Sequence, residues 1–470
     1  MKLDYKRTIL VGFAFFLISA FWQAYDAIVP LILNHHFGLP DTASGAIMSL
    51  DNIFAVFLLP LFGSLSDKVN TRLGRRTPFI LFGTIAAVVS FFVLTFVDNL
   101  QLSLLPTGEF ATLLEGAVTD AAREEAFSKI AEQSLAQTLA NPWPLIGFIG
   151  LLLVVLLSMA TFRSPAVALM PDVTIKPLRS KGNAIINLMG TAGGIVVLVF
   201  GMLFGTSNNQ YMQYTGYVLA VVGIMSLALV VFMLTVKEKQ WAGEMEAETK
   251  RLGLDGVAES ESGEKRGLSK DEMKSLLLIL ASVALWYIGY NSITSKYTVY
   301  AGEILRVDFN FTLIIAQAAA VIAYIPVGII ASKLGRRKTI LAGIVMLATA
   351  FFIGNFITSD SGWVQYPIFI LAGIGWATIN VNSFPMVVEL AKCGDVGKYT
   401  GYYYTASMSA QIVAPILSGI LYDLIGMRYV FFAFGTLFVV LSFVTMFFVR
   451  HGDARPEKEV AIAEAFGGDD

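Results

Sequence analysis

Twelve runs of mostly apolar residues, each about the length needed to cross a bilayer, leave this chain very few possible folds. They fall at residues 8–33, 44–65, 78–97, 143–170, 182–205 and 214–236, then at 274–297, 311–332, 338–358, 363–388, 400–422 and 428–449. With backbone hydrogen bonds closed inside each run, the expected fold class is an all-α membrane protein with two bundles of six helices. Composition agrees: 56% of residues are hydrophobic and 14% charged, against roughly 25% charged in soluble domains. That balance excludes a water-soluble enzyme, a disulfide scaffold and a disordered protein. A net charge of −2 offers no field for nucleic acid. The single cysteine, Cys393, excludes an internal disulfide and a thiolate metal cluster. The first run has no small-residue cleavage site and reads as a retained span.

Positive charge sets the orientation, because cytoplasmic segments hold the excess of lysine and arginine. With the N-terminus inside, 27 of the 33 lie in cytoplasmic segments, five lie outside, and Arg163 lies within a span. Twelve spans then place both termini in the cytoplasm of a plasma-membrane protein. Residues 1–236 form the first bundle and 274–450 the second, joined by a polar linker at 237–273 and followed by a tail at 451–470. The segment 98–142 lies outside and carries seven acids. Phe110, Leu113 and Leu114, then Phe127, Ile130 and Leu135, recur there at helical spacing, which predicts one or two amphipathic helices over the outer mouth. His35-His36 reads as an exposed pair at the end of the first span.

The two bundles repeat each other. Gly63-Ser-Leu-Ser-Asp67-Lys68 and Leu73-Gly74-Arg75-Arg76-Thr-Pro78 follow the second span; Ser332-Lys333-Leu334-Gly335-Arg336-Arg337 follows the eighth. Pro171 and Pro385 each precede a short polar loop that ends in a lysine near a glycine. A six-span unit used twice in one orientation is the parallel-repeat plan of one large transporter class.

The Gly-x-x-x-Asp-Lys…Gly-Arg-Arg loop resembles the signature of the major facilitator superfamily. Its four-residue insertion, the Arg-Arg-x-Pro-Phe-Ile that follows, and Arg163-Ser-Pro165-Ala with Ala168-Leu-Met-Pro-Asp172 are similar to the sucrose-transporter and SLC45-like proteins. The glycoside–pentoside–hexuronide:cation symporters resemble the chain more distantly. These resemblances imply alternating-access transport of a sugar, with no enzymatic activity. Sodium-using members carry acids where this chain has Leu59 and Ala55, and its own acid is Asp51, a turn further out. That departure favours protons over sodium as the coupling ion.

Charged groups inside a bilayer cost about 2.5 kcal/mol or more each, so those found within spans are functional candidates. Asp26 in the first span, Asp51 in the second and Arg163 in the fourth are expected to couple protons to transport. Burial opposes the charged form of an acid and a nearby arginine favours it, so moving one against the other loads and releases a proton. Lys296 is expected to snorkel to the outer surface. A sugar needs donor–acceptor groups for its hydroxyls and flat rings for its C–H faces. Trp22, Gln23, Tyr25, Asn52, Asn187, Trp286, Tyr287, Asn291, Trp376, Asn380 and Gln411 supply both within spans. Asn380 and Asn382, two residues apart, point to different faces of one helix. Asp67, Arg75, Arg76, Asp172 and Arg179 lie at cytoplasmic span ends and are expected to pair as a gate, a role the resemblance implies.

The motifs of metalloproteases, serine hydrolases and phosphate loops are absent from the sequence, so neither a metal nor an organic cofactor is expected. The expected partners are a small sugar and the lipid bilayer, with the chain acting as a monomer. A transporter or exporter of another small polar organic solute is the alternative. A non-transporting membrane sensor is a remote one, since this chain keeps its embedded charges and adds only a linker.

Overall fold

The computed structural model describes residues 3–175, 178–207, 211–251, 268–390 and 396–452. Cys393, residues 252–267 of the expected linker and the tail beyond residue 452 lie outside them. The first half contains α1 (Tyr5–Leu31), α2 (Asp41–Met48), α3 (Leu50–Lys68), α4 (Thr77–Ser103), α5 (Thr107–Gly116) and α6 (Asp120–Ala140). It continues with α7 (Trp143–Val173), α8 (Arg179–Phe204), α9 (Thr215–Thr235) and α10 (Glu238–Arg251). The second half contains α11 (Lys270–Thr294), the short α12 (Tyr297–Tyr300), α13 (Phe309–Leu334), α14 (Arg336–Gly354), α15 (Gln365–Val388), α16 (Val396–Ile425) and α17 (Met427–Phe447). Among the described residues twelve helical segments are long and apolar enough to span a membrane, each within a few residues of the run expected for it. An even number of spans puts both ends of the chain on one face; the opposite one is called the far face below.

Local signals start these helices. Asp4 caps α1 by accepting from the Arg7 amide at 3.1 Å. Ser269 and Glu272 form a reciprocal capping box on α11, and Asp308 caps α13. Small residues then let helices close up, because lipid gives no hydrophobic drive and contact must come from packing. A Cβ on Gly193 of α8 would sit 2.5 Å from the Phe16 carbonyl oxygen of α1. The long second span is broken at Ser49, whose hydroxyl donates to the Gly45 and Ile412 carbonyls at 2.9 and 3.0 Å.

On the far face the halves are tied together by polar bonds. Lys296 is fully buried, with Nζ 2.9 Å from Asp41 Oδ1 and 2.6 Å from Asn34 Oδ1. It does not snorkel, because its partners lie in the opposite half rather than in solvent. Asp423 accepts from the Asp41 and Thr42 amides at 2.8 and 2.9 Å. His35 and His36 are buried too, contrary to the exposed pair expected: His35 Nε2 meets Glu303 at 2.7 Å across the halves, and His36 Nδ1 meets Asp98 at 2.5 Å.

The insert forms α5 and α6. Phe110 and Ile130 pack with Leu105, and Phe127 is buried nearby. Gln101 anchors α6 to the bundle through Thr138, donating at 3.0 Å. At the start of α6, Asp120 reaches the second half, with Arg306 at 3.0 Å, Arg428 at 3.1 Å and the Ser359 hydroxyl at 3.0 Å. The expected linker also differs from a plain tether, because its first part is α10, docked on the first bundle. Glu238 accepts from the Arg75, Arg76 and Thr77 amides at 2.6, 2.9 and 2.8 Å, a carboxylate on the N-terminus of α4. Gly74 is required beneath it: its φ is +123°, and a Cβ there would lie 2.3 Å from the Glu238 carboxylate.

Candidate functional site

The inner wall of the first half is built from one face of α1. Ser19, Trp22, Gln23 and Asp26 recur at helical spacing and keep some exposure in residues 14–31, which are otherwise buried. Asp26 is the most open of them, in the middle of the protein, so it lines a central chamber. Asp51 and Asn52 face the same region from the first turn of α3. Asp51 Oδ1 accepts from the Asn52 amide at 2.6 Å and from its Nδ2 at 2.8 Å. Arg163 of α7 reaches in from the third side, its Cζ 5.7 Å from the centroid of the Trp22 ring. Asp26 and Asp51 are close enough for their charges to interact, and so are Asp51 and Arg163. The three embedded charges singled out in the sequence therefore meet in one place.

The second half supplies the opposite wall. The Tyr287 hydroxyl donates to Asn380 Oδ1 at 3.3 Å, and Asn291 Nδ2 donates to the Tyr287 carbonyl at 2.9 Å. Trp376 is partly open and its ring centroid lies 6.0 Å from that of Tyr290. Gln411 is partly buried in α16, donating weakly to Ser407 at 3.4 Å, and Asn187 is partly buried in α8. Asn382 turns back onto its own helix at the Thr378 carbonyl, 2.9 Å away, while Asn380 reaches Tyr287. Tyr25 and Trp286, expected on the chamber wall, are both 0% exposed. Tyr25 is one residue from Asp26, about 100° around the helix, so its ring packs against Phe21 and Trp22 instead.

Three residues absent from the expected set bear on the site. Gln317 of α13 donates through Nε2 to Gln23 Oε1 at 2.6 Å, a bond between the halves in mid-membrane beside Gly194. It is the one amide in the apolar run after Phe311, a signal of the kind that selected Gln23. Tyr290 lies one turn from Tyr287 and near Asp26. Glu238 braces the loop that carries Arg75 and Arg76, as described above.

The residues expected to form a gate do pair, but within the first half. Arg76 is buried, donating from Nε to Asp172 at 2.8 Å, from Nη2 to Asp67 and from Nη1 to the Ser66 hydroxyl. Burial opposes its charge, yet Asp172 and Asp67 outweigh that and raise its proton affinity above the ordinary arginine value. Arg75 reaches Asp172 at 3.2 Å. Arg179 donates to the Pro171 and Thr174 carbonyls at 2.9 and 3.2 Å. The second half repeats the brace with Arg336 on Glu389, after Gly335 at φ +90°.

The bonds between the halves described so far lie from mid-membrane to the far face. These bonds close the chamber toward the far face.

Comparison with known proteins agrees with this architecture. A family model described as Major Facilitator Superfamily matches residues 130–409 and 307–466. A second, described as MFS/sugar transport protein, matches residues 10–119. An uncharacterised MFS-type transporter of Methanocaldococcus jannaschii is 22% identical over 37% of this chain, and MFS-type transporter ppzB of Metarhizium rileyi is 32% identical over 24%. The matched stretches span 45% and 23% of those relatives' own lengths. Among solved structures, the xylose transporter XylE from E. coli in an inward-open conformation superposes with a TM-score of 0.62 at 12% identity, covering 95% of this chain and 96% of that one. A POT family transporter in complex with 5-aminolevulinic acid gives 0.64 at 11% identity, covering 94% and 96%. At such identities the likeness is one of fold.

Proposed function

We propose, from the premise that this chain belongs to the Major Facilitator Superfamily, that it carries a sugar across the plasma membrane by proton-coupled symport. Membership makes it a multi-pass membrane transporter of a non-enzymatic family. The observation that carries the coupling is the position of Asp26, open on the chamber wall with Asp51 nearby and Arg163 close to Asp51. An acid that faces the chamber meets each side of the membrane in turn as the halves rock, and exchanges its proton there. Arg163 competes for Asp51 as its counter-charge. Sugar hydroxyls are taken by Gln23, Asn52, Asn291 and Gln411, and a ring face by Trp22 or Trp376.

The sugar reading draws support from the family model for MFS/sugar transport proteins over residues 10–119 and from the residue pattern shared with sucrose-type transporters. The excess of positive charge on the terminus side supports cytoplasmic termini, which makes the far face extracellular and this conformation closed toward the outside. The functional unit is the monomer, because one chain supplies both walls. Uptake of a panel of mono- and disaccharides into proteoliposomes under an imposed pH gradient tests the reading. It expects at least one sugar to accumulate only when the outside is acid. Accumulation driven equally well by a sodium gradient at constant pH would overturn it.

A further inference from the structure

A second cavity, of about 460 Å³, lies on the far face between α6, the end of α1, the turn after α12 and the start of α17. That is within the roughly 300–1,000 Å³ typical of small-molecule sites. Both halves and the insert wall it, and it is separate from the central chamber. Most of its charges are already satisfied. Glu303 bonds to His35 and Asp41 to Lys296, and Asp423 accepts from the first amides of α2. Asp120 takes both Arg306 and Arg428. Glu124 and Glu132 stand on the exposed side of α6.

Arg123 is left over. It is partly buried, with its Cζ 5.3 Å from the centroid of the Phe127 ring. Among the described residues no carboxylate lies within ion-pairing distance of it, and its buried Nε has no hydrogen-bond partner. Burial and the neighbouring charge of Arg306 lower its proton affinity below the ordinary arginine value, and the carboxylates of Glu303 and Asp120, engaged by His35 and by Arg306 and Arg428, only partly offset them. A guanidinium stays charged in a protein, so the remedy for such a site is an anion. Planar two-oxygen groups suit guanidinium donors, which bind carboxylates in bidentate fashion.

We propose that this vestibule binds a small carboxylate-bearing solute, its carboxylate held by Arg123 beside Arg306 beneath the insert helix. The walls come from both halves, so the occupied cavity persists only while the far face is closed, and the ligand stabilises that conformation. The proposal stands apart from the transport reading and is tested by binding alone. Calorimetric titration of the purified full-length protein uses malonate as the probe and malonamide as its neutral counterpart. Wild type is expected to bind malonate saturably and malonamide not at all. Arg123→Gln should weaken malonate binding at least tenfold, and Arg123→Lys should retain part of it. The absence of saturable malonate binding by wild type, equal binding of malonamide, or unchanged affinity in Arg123→Gln would each overturn the assignment. So would competition by sulfate as strong as by malonate, which would make the site a general oxyanion trap.

Discussion

Replacing Lys296 with methionine should tip the protein toward a state that is open on the far face. The ammonium is 0% exposed and has two partners in the other half, Asp41 at 2.9 Å and Asn34 at 2.6 Å. Removing one member of a buried ion pair costs about 3–5 kcal/mol, mostly through the charge left behind. Asp41 retains a bond from Asn34 Nδ2 at 2.8 Å, so the low end applies. Once the halves part on this face, both charges meet water, and the loss falls chiefly on the closed state. A bias of about 2–3 kcal/mol changes the open-to-closed ratio by roughly 30- to 150-fold. Pulsed EPR can read this between spin labels at the exposed far-face positions Leu100 and Phe356, in a Cys393→Ser background. The longer-distance population should grow in Lys296→Met and partly subside when Asp41→Asn is added, because the unpaired charge is then gone. Distance distributions that do not change in Lys296→Met would refute the claim that this pair holds the far side closed.

Three other perturbations probe separate parts of the molecule. Arg76→Gln, which leaves Asp172 with Arg75 alone and removes the bond to the half-exposed Asp67, should cost about 1.5–3 kcal/mol of stability, read as a lower melting temperature, and should slow turnover more than it weakens substrate affinity. Gly193→Ala forces a methyl to within 2.5 Å of the Phe16 carbonyl oxygen; backbone cannot yield as a side chain does, so a loss of about 1–3 kcal/mol should appear as reduced folded yield in detergent. The Asp120 carboxyl is held below the usual carboxylate range by the Ser359 hydroxyl and then by Arg428 and Arg306. Its contribution is therefore fully present above the ordinary value near 3.8 and is lost only as pH falls through the lowered one. Labels on α6 should report the same docking from pH 7 to 5 in wild type and a pH-independent loosening in Asp120→Asn.

The spans and the two matched loops were legible because each depends on neighbours in sequence: an apolar run closes its own hydrogen bonds, and Gly74 and Gly335 each turn the chain with positive φ before a basic helix start. The chamber charges Asp26, Asp51 and Arg163 were legible for a related reason, since few forces keep ions in hydrocarbon other than function. The far-face lock was not. Asp41 and Asp423 lie 382 positions apart, and nothing local distinguishes Lys296 or His35 from ordinary residues at a membrane boundary. Only the docking of one half on the other turns boundary residues into interior ones. Tyr25 is shut off from the chamber by packing that spacing alone does not show: its ring lies against Phe21 and Trp22, although it stays within reach of the charges on Asp51 and Asp26. Glu238 escaped notice because its three amide partners lie about 160 residues upstream, and a carboxylate in a charged linker looks like any other.

Proton movement evoked by the transported sugar is the most direct measure of the coupling assigned to the chamber acids. In liposomes with no imposed gradient and an interior pH dye, adding that sugar outside should acidify the lumen with wild type, and Asp26→Asn should abolish the acidification while still exchanging labelled for unlabelled sugar across the membrane. Sugar entry without any pH change in wild type, or undiminished acidification in both Asp26→Asn and Asp51→Asn, would contradict the account.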